Sequence, residues 1–448
     1  MGGVIQLLKK ANDNMPDWIK ILGTPVIHGA LVNNPIFKKQ YRELMIWDQL
    51  SREVKEQRLF ADVKNALIYA YEGSDYYRES FDSVGFNPYK MENIEDIKRL
   101  PILKKRDLID NLDRIQVKKR GDFYVTSTGG TTGEPVSIKL DKDSIYKEKA
   151  FIYHFWSRLG YDYKKSRTAT FRGLEFNGKY KKYNPLYNEI QLNPFLLNAD
   201  TIDRYVDNIN KFEAEFIHGY PSAIYSFCQL LENSNKKLKK SIKGVFFISE
   251  NVYSFQREQI ERVLHCKTLS FYGNSERSVF AEQNDDDSYT FHSLYSFSEV
   301  LEDKRVICTG FLNRKMPLVR YDTDDSAEQT ENGYLIRSHR GHDYLIGKHM
   351  ETISAAAINF HSEAMDHVLA YQYVQNEIGN VRLNIVAKKG KKLDIEAVEK
   401  TVQNKVGQAL SIHACEVGQI ELSPKGKYRL IIQNIPIKGE NQNDGLGK

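Results

Sequence analysis

Residues 126–135 have the composition of a loop that could hold phosphate groups. They read Thr-Ser-Thr-Gly-Gly-Thr-Thr-Gly-Glu-Pro, with three glycines and five hydroxyl residues, directly after a strand-like run at 122–125. Glycine lets the backbone approach a ligand closely and adopt positive φ, and hydroxyl groups add donors beside the amide N–H groups. Glu134 stands where a Walker loop carries its lysine, which excludes that kind of loop. On local grounds a polar hairpin turn is the alternative.

A second candidate segment, residues 271–276, reads Phe-Tyr-Gly-Asn-Ser-Glu and follows an apolar run typical of a buried strand. Loops at the carboxyl ends of parallel strands are where open α/β sheets bind ligands. In such a loop Glu276 could hold Mg²⁺ through its carboxylate, and Tyr272 could stack on a nucleotide base. A strand-end turn with a solvated glutamate is the alternative.

A third segment, residues 316–325, combines an apolar strand with acidic residues. Asp322, Asp324 and Asp325 lie within four residues at its end. Because a carboxylate accepts hydrogen bonds from ribose hydroxyls, one of them could clamp a nucleotide sugar. An acidic turn fits the local pattern equally well.

Two cationic segments lie closer to the carboxyl end of the chain. Residues 340–345 begin with Arg340, and residues 423–429 place a glycine between two lysines, of which Lys427 is the second. Such a turn projects a long cationic side chain. Taken alone, the first segment fits a linker and the second a solvated turn.

The elements that would position these segments alternate between strands and helices from about residue 122 to 340. Residues 244–248 and 268–271 are short apolar runs, as in buried parallel strands, and a helical pattern at 255–264 separates them. This order predicts a mixed α/β domain with a largely parallel sheet.

The two ends of the chain have a different character. The first forty residues show no clear period and predict an irregular, partly docked arm, followed by a long helical pattern over 43–71. The last hundred residues predict a hairpin, a charged helix and further strands, which together form a small α+β unit. The expected divisions are an arm (1–42), a large N-terminal domain (43–345), a small C-terminal domain (346–437) and a disordered tail (438–448).

Composition excludes several classes of protein. The 448 residues are 41% hydrophobic and 27% charged, with a net charge of +5, which is typical of a globular protein and gives little support for nucleic-acid binding. The four cysteines form no CxxC pair, so neither a zinc signature nor a disulfide framework is expected. No apolar run reaches the roughly 20 residues of a membrane helix. A soluble, cytoplasmic protein without a membrane span is the expectation.

Together the segments resemble the adenylate-forming acyl/aryl-CoA ligase superfamily. Residues 128–135 are similar to its Thr-Ser-Gly-Thr-Thr-Gly-x-Pro signature, and Tyr-Gly-x-Ser-Glu, Arg-Tyr-x-Thr-x-Asp and Gly-Lys-x-Arg follow in the family's order. Residues 75–78, 100–104, 218–222 and 309–313 resemble the phenylacetate–coenzyme A ligase branch, which includes capsular-polysaccharide adenylyltransferase-like proteins. The match spans about residues 45 to 435.

The resemblance implies a large N-terminal domain, a small mobile C-terminal lid and ATP between them. A carboxylic acid would attack the α-phosphorus of Mg·ATP and form an acyl-adenylate, which then passes its acyl group to an acceptor. Tyr272 would flank the adenine, Glu276 would ligate Mg²⁺, Asp325 would hold the ribose with Arg340 beside it, and Lys427 would bridge substrate and α-phosphate. The residues implied to cradle the β- and γ-phosphates are Thr128, Gly129, Gly130, Thr131, Thr132 and Gly133, and Gly273 and Ser275 complete the nucleotide site.

The chain departs from the family pattern at several positions. Gly129 replaces a serine, Asp324 replaces a glycine, His339 replaces the glycine before Arg340, and Met350 stands where another glycine is expected. The last two changes lie in the segment that, in the family, turns to line the thiol tunnel. A large side chain in place of glycine restricts both φ/ψ and access. We therefore expect adenylation, with an acceptor other than coenzyme A, such as an amine or hydroxyl of a sugar or a carrier.

Two alternatives stay open. One is a complete acid–coenzyme A ligase. The other is a non-catalytic protein that binds a nucleotide or organises a pathway, which the joint retention of Glu276, Asp325, Arg340 and Lys427 disfavours.

Overall fold

The computed structural model describes residues 16–118, 121–127, 137–174, 176, 178–337, 344–358, 363–365, 367–388, 390–421 and 430–435. Its first part is helical. The helices are α1 (Asp17–Val32), α2 (Pro35–Trp47), α3 (Arg52–Gly73), α4 (Asp75–Ser83), α5 (Lys105–Asp110) and α6 (Leu112–Ile115), with 3₁₀ turns at Pro88–Lys90 and Ile94–Arg99.

The prediction of an irregular arm over the first forty residues is wrong from Asp17 onward, where α1 and α2 are helices. The apolar residues of α1 surround the helix, so no single stripe marks it in the sequence: Leu22 and Val26 are 71% and 77% exposed, while Leu31 is buried. Helix α2 belongs to the core, since Phe37 is fully buried. Residues 17–42 are therefore docked helices.

The central part contains one long sheet and a separate hairpin. The hairpin is β1 (Phe123–Ser127) with β2 (Ser137–Asp141). The long sheet contains β3 (Thr168–Phe171), β4 (Lys181–Asn184), β5 (Glu189–Leu192), β6 (Phe216–Gly219), β7 (Gly244–Phe247), β8 (Thr268–Gly273), β9 (Phe280–Gln283), β10 (Tyr289–Phe291), β11 (Ser296–Val300), β12 (Arg305–Gly310), β13 (Tyr321–Gln329) and β14 (Tyr334–Arg337). Its helices are α7 (Lys142–Trp156), α8 (Ile202–Phe212), α9 (Pro221–Glu232) and α10 (Ser254–Leu264).

The sheet is parallel only in one half. Its strand order is β11-β12-β13-β14-β10-β9-β8-β7-β6-β3-β5-β4, and the parallel pairs are β5–β3, β3–β6, β6–β7 and β7–β8. All other neighbours in the order are antiparallel, so the prediction of a largely parallel sheet is wrong. The reason is that no helix follows α10 until α11, well beyond this sheet, and strands joined by short loops pair antiparallel.

Gly219 shows how closely the parallel strands approach at their carboxyl ends. Its φ is +149°, and a Cβ built there would lie 2.1 Å from the carbonyl oxygen of Phe171 on the neighbouring strand. Because backbone atoms cannot give way as a flexible side chain can, this position requires glycine. The close approach brings the residues that follow β3 and end β6 to one edge of the sheet.

The C-terminal part is a small α+β unit, as predicted. It contains the hairpin of β15 (Tyr344–Ile346) and β16 (Thr352–Ser354), the short helix α11 (Ala355–Ile358), a 3₁₀ turn at Glu363–Met365, β17 (Val368–Glu377), β18 (Asn380–Ala387), α12 (Ile395–Val406), β19 (Ser411–Glu416) and β20 (Ile431–Gln433). The four-stranded sheet has the order β19-β18-β17-β20. Gln375 ties β15 to this sheet, since its side chain accepts from the N–H of Ile346 and donates to the same residue's carbonyl, each at 2.7 Å.

Across the part of the chain that the structure describes, no helix has both the length and the apolar character needed to cross a membrane. The predicted tail at 438–448 lies outside the described residues.

The carboxyl of Glu282 on β9 makes the stability of the fold depend on pH. Burial raises the pKa of this carboxyl from 4.5 to about 7, and Arg158 offsets only part of that effect. The native state therefore disfavours ionisation, and stability falls as pH rises from about 4.5 to 7. Glu282→Gln should be more stable than the wild type by about 2–3 kcal/mol at pH 8 and equal to it near pH 4. Urea denaturation at both pH values measures the difference.

The matched control for this prediction is Glu302→Gln, because Glu302 is an exposed carboxylate in the turn between β11 and β12. That variant should follow the wild type at both pH values. A Glu282→Gln advantage of equal size at pH 4 and pH 8 would contradict the assignment.

Candidate functional site

A cavity of about 1260 Å³ lies at the carboxyl ends of β3, β6, β7 and β8. Arg172, His218, Ser249 and Tyr272, one from each strand end, line it. This edge of the parallel half is where open α/β sheets bind ligands. The cavity is large enough for a nucleotide together with a second small molecule.

Tyr272 and Asp325 are brought together although 53 positions separate them. The Tyr272 hydroxyl donates to Oδ2 of Asp325 at 2.8 Å, and both residues line the cavity. Burial first, and then the Asp325 charge, raise the pKa of Tyr272 well above its usual value. The phenol thus stays protonated and remains a donor. Gly273 and Ser275 line the same wall, so these four predicted nucleotide residues share one surface.

Glu276 lies next to that surface and is nearly buried, at 9% exposure. Its Oε1 accepts a hydrogen bond from the Tyr321 hydroxyl at 3.1 Å, and the residue also lines the cavity. Within the described ranges no three His, Cys, Asp or Glu residues form a metal-binding group. A single carboxylate nevertheless fits Mg²⁺, which keeps several waters and binds substrate phosphates rather than a protein cage.

The phosphate-loop residues Thr128 to Gly133 lie outside the described residues, and their role stays a prediction. The strands on both sides are those expected: β1 and β2 pair antiparallel, with Ser127 opposite Ser137. Thr126, near the end of β1, lines the cavity. Arg340 and Lys427 also lie outside the described residues, so their roles stay predictions too.

Two of the positions where the family has glycine keep a glycine-like backbone here. Asp324 has φ +61° and Met350 has φ +66°, both in the left-handed region that favours glycine. Met350 thus adopts the backbone conformation of the glycine expected there, although its Cβ makes that conformation less favourable than for glycine. What changes is bulk: the Met350 side chain is 63% exposed.

The residues expected to form the acid pocket lie in two places. Residues 249–252 and 272–274 line the large cavity, as expected. Tyr220 instead lines a separate cavity of about 20 Å³, together with Glu351 and Ala357. Between the two cavities, Glu250 accepts hydrogen bonds from the N–H and hydroxyl of Ser222, each at 3.1 Å, at the start of α9.

Sequence reasoning did not predict a role for four residues that line the cavity, which are Lys149, Arg172, His218 and Arg277. His218 was noted only as part of the family-like segment 218–222. Arg277 follows Glu276 directly and could have been noticed there. Its guanidinium donates to the Ser144 hydroxyl at 2.7 Å and pairs with Glu148 at 2.8 Å. Lys149 and Arg172 carry no local signal, since a lone cation on a helix or after a strand is usually solvated.

Comparison with known proteins agrees with this geometry. The family model described as the CapK C-terminal domain matches residues 345–434. The chain is 24% identical to Protein CapK of Staphylococcus aureus, over 92% of this chain and 98% of that protein. It is 22% identical to phenylacetate–coenzyme A ligase of Escherichia coli K12, over 70% of this chain and 75% of that protein.

Solved structures show the same architecture. A 2-hydroxyisobutyryl-CoA ligase in complex with 2-HIB-AMP and CoA aligns with a TM-score of 0.56 at 16% identity, over 86% of this chain and 91% of that one. The same ligase in its postadenylation state aligns with a TM-score of 0.52. At this identity the likeness establishes the fold, a large mixed α/β domain followed by a smaller one. The ordered motifs, the cavity that joins Tyr272, Asp325 and Glu276, and these relatives together support placing the chain in the adenylate-forming superfamily, and its sequence is similar to CapK and to phenylacetate–coenzyme A ligases.

Proposed function

We propose that this protein is an AMP-forming ligase that activates a carboxylic acid with ATP. A carboxylate oxygen of the acid forms a bond to the α-phosphorus, the bond to the β-phosphate oxygen breaks, and pyrophosphate leaves. The products of this first step are an acyl-adenylate and pyrophosphate. The observation that carries the proposal is the hydrogen bond of 2.8 Å that joins Tyr272 to Asp325, beside Glu276, at the ligand-binding edge of the sheet.

The described residues are suited to hold the nucleoside. An ionised carboxylate offers about four lone-pair positions, so Asp325 can accept from Tyr272 and from ribose hydroxyls together. Tyr272, held by that bond, offers its ring to the adenine. Glu276 is the residue that would hold Mg²⁺, which when bound neutralises phosphate charge.

The remaining roles rest on the motifs. Residues 128–133 are proposed to cradle the β- and γ-phosphates, Arg340 to lie beside the ribose, and Lys427 to neutralise charge as pyrophosphate leaves. Nucleotidyl transfer needs positioning and charge neutralisation rather than covalent chemistry from the protein, and these groups supply both. In this proposal residues 43–345 bind ATP and acid, and residues 346–437 form a mobile lid.

The proposal also concerns the group that accepts the acyl chain in the second step. The bulky, exposed Met350 next to the domain junction favours an acceptor other than coenzyme A, such as an amine or hydroxyl of a sugar or a carrier. A polysaccharide or secondary-metabolite pathway would use such a product. Coenzyme A is the second candidate, because two of the relatives above are named as coenzyme A ligases.

ATP–pyrophosphate exchange with pools of carboxylic acids tests the activation step. At least one pool should support exchange that requires both acid and Mg²⁺, because pyrophosphate is released before the acceptor enters. Binding of ATP without exchange by any pool would instead indicate a non-catalytic nucleotide-binding protein. With the active acid known, robust acyl-CoA synthesis would show that the acceptor is coenzyme A. That result would overturn the proposal of a different acceptor.

A further inference from the structure

The part of the cavity formed by β3 and α7 carries two cations without an ion-pair partner among the described residues. Arg172 follows β3 and Lys149 lies on α7. The Lys149 ammonium lies 4.1 Å from the centre of the Tyr187 ring. The Nε of Arg172 is buried and has no hydrogen-bond partner, and the same is true of Nε1 of Trp156 on the same cavity wall.

The carboxylates around these cations are engaged elsewhere. Glu148, beside Lys149 on α7, pairs with Arg277 at 2.8 Å. Glu189 on β5 accepts hydrogen bonds from neutral donors, which are the Thr170 hydroxyl at 2.7 Å, the Asn184 amide at 2.9 Å and the Gln191 amide at 2.8 Å.

The other titratable neighbours add no charge: burial raises the pKa of the Tyr187 and Tyr220 hydroxyls, so both stay protonated, and His218 is neutral. Its Nδ1 donates to the carbonyl of Phe246 at 2.9 Å, and burial, followed by the nearby Arg172, lowers its pKa to about 3. Three cations, Lys149, Arg172 and Arg277, therefore face two carboxylates, Glu148 and Glu189. One positive charge is left over in this part of the cavity.

The pKa of Lys149 reports the same imbalance. Burial lowers it from 10.5 to about 8, although Glu189 and Glu148 act in the opposite direction. The repulsion from Arg172 and Arg277 adds to the lowering. An anion bound beside Lys149 would supply the missing negative charge and raise this pKa.

Arg172 lies apart from the proposed nucleotide surface, and Lys149 is close enough to both Arg172 and Arg277 to feel their charges. Arg172 follows β3 and Tyr272 ends β8, three strands away, which corresponds to about 14 Å across the sheet. Between them stands an aromatic wall, in which Trp156 stacks on Phe246 at 4.2 Å and contacts the His218 ring at 4.9 Å. An acid that presents its reacting carboxylate near Glu276 would thus place its body along this wall and its far end near Arg172.

We propose that the acid substrate carries a second anionic group, which Lys149 and Arg172 bind in the part of the cavity formed by β3 and α7. The inference rests on the proposed acid activation and adds to it the substrate class: a dicarboxylic acid, or a carboxylic acid with a sulfonate or phosphate at its far end.

Exchange assays with matched pairs of acids test this inference. Each pair has the same carbon skeleton, with a methyl group in place of the second carboxyl group, for example carboxyphenylacetate against methylphenylacetate and glutarate against valerate. Sulfonate analogues form a further arm. The doubly anionic member should have the higher kcat/KM, by about 100-fold, because a buried cation left unpaired weakens binding strongly. The sulfonate arm distinguishes a carboxylate-specific site from a general anion site.

Variants connect this preference to the two cations. Lys149→Met and Arg172→Met should each lower kcat/KM for the doubly anionic acid by about 100-fold, mainly through KM, and that for the simple acid by less than about threefold. Lys149→Arg should restore the preference. The matched controls are Lys142→Met at the exposed start of α7 and Arg167→Met at the opposite end of β3, both of which should behave as the wild type.

The pH profile gives a readout that a purely structural role would not move. KM for the doubly anionic acid should rise above about pH 8 in the wild type as Lys149 loses its proton, and not in Lys149→Arg. Preference of the wild type for simple acids, or equal losses for both members of a pair in the variants, would overturn the inference while leaving acid activation intact. If no acid supports exchange, acid activation itself is overturned, and the inference with it.

Discussion

Lys427→Ala should abolish most acyl-adenylate formation while leaving the fold intact. Loss of one preorganised donor at a site of developing charge lowers rates by about 100- to 1,000-fold, or roughly 3–4 kcal/mol. Lys427 occupies the position of the lysine in the family's Gly-Lys-x-Arg turn, where it would contact the acid and the α-phosphate. The rate of ATP–pyrophosphate exchange at saturating ATP and acid measures the loss.

The chain offers a matched control for this variant. Lys425 lies two residues before Lys427 in the sequence, on the other side of Gly426, and has the same side chain in the same predicted turn. Lys425→Ala should keep exchange near the wild-type rate. Undiminished exchange in Lys427→Ala would refute the assigned role, and equal losses in both variants would indicate a general electrostatic effect of the turn.

Glu276→Gln should lower exchange by about 100-fold and raise the Mg²⁺ concentration needed for half-maximal rate. The amide has the shape of the carboxylate and can still accept the hydrogen bond from Tyr321, which is 3.1 Å long in the structure. The change therefore removes charge from a nearly buried position with little effect on packing. A Mg²⁺ titration of the exchange rate measures both effects.

Glu282→Gln is the matched control, because it is the same carboxylate-to-amide change on β9 and Glu282 does not line the cavity. Its exchange rate and Mg²⁺ requirement should equal those of the wild type. An unchanged Mg²⁺ requirement in Glu276→Gln would show that Glu276 does not bind the metal.

The nucleotide surface could be predicted from the sequence because local motifs mark it. Tyr272 and Glu276 follow an apolar run with a glycine between them, and Asp325 belongs to an acidic run that follows the apolar residues 316–319. The predicted apolar strand at 316–321 is wrong, because the strand there, β13, begins at Tyr321 and contains the acidic residues. Each pattern is weak alone, and their order along the chain identified the family. The structure then placed Tyr272 and Asp325 in direct contact.

The part of the cavity formed by β3 and α7 could not be predicted in this way. Lys149 and Arg172 are 23 positions apart, and nothing in either local pattern distinguishes them from solvated cations. They line the same cavity only because the tertiary fold brings α7 and the end of β3 to it. The α1 helix could not be predicted from the sequence because its apolar residues form no single face.

The antiparallel half of the sheet shows a third limit. The alternation of strands and helices that predicts parallel pairing holds up to α10, and the strands that follow are joined by short loops. Strands joined by such loops pair antiparallel. The alternating pattern therefore predicts the pairing in one half of the sheet and not in the other.

The transfer of oxygen from the acid to AMP tests acid activation most directly. The acid that supports exchange is prepared with ¹⁸O in its carboxylate, and the protein turns it over with ATP and Mg²⁺, with hydroxylamine as the acceptor. Because the acid oxygen bonds to the α-phosphorus and stays there when the acyl group departs, one ¹⁸O atom should appear in AMP by mass spectrometry. Formation of ADP with ¹⁸O in inorganic phosphate, or AMP without the label, would contradict activation through an acyl-adenylate.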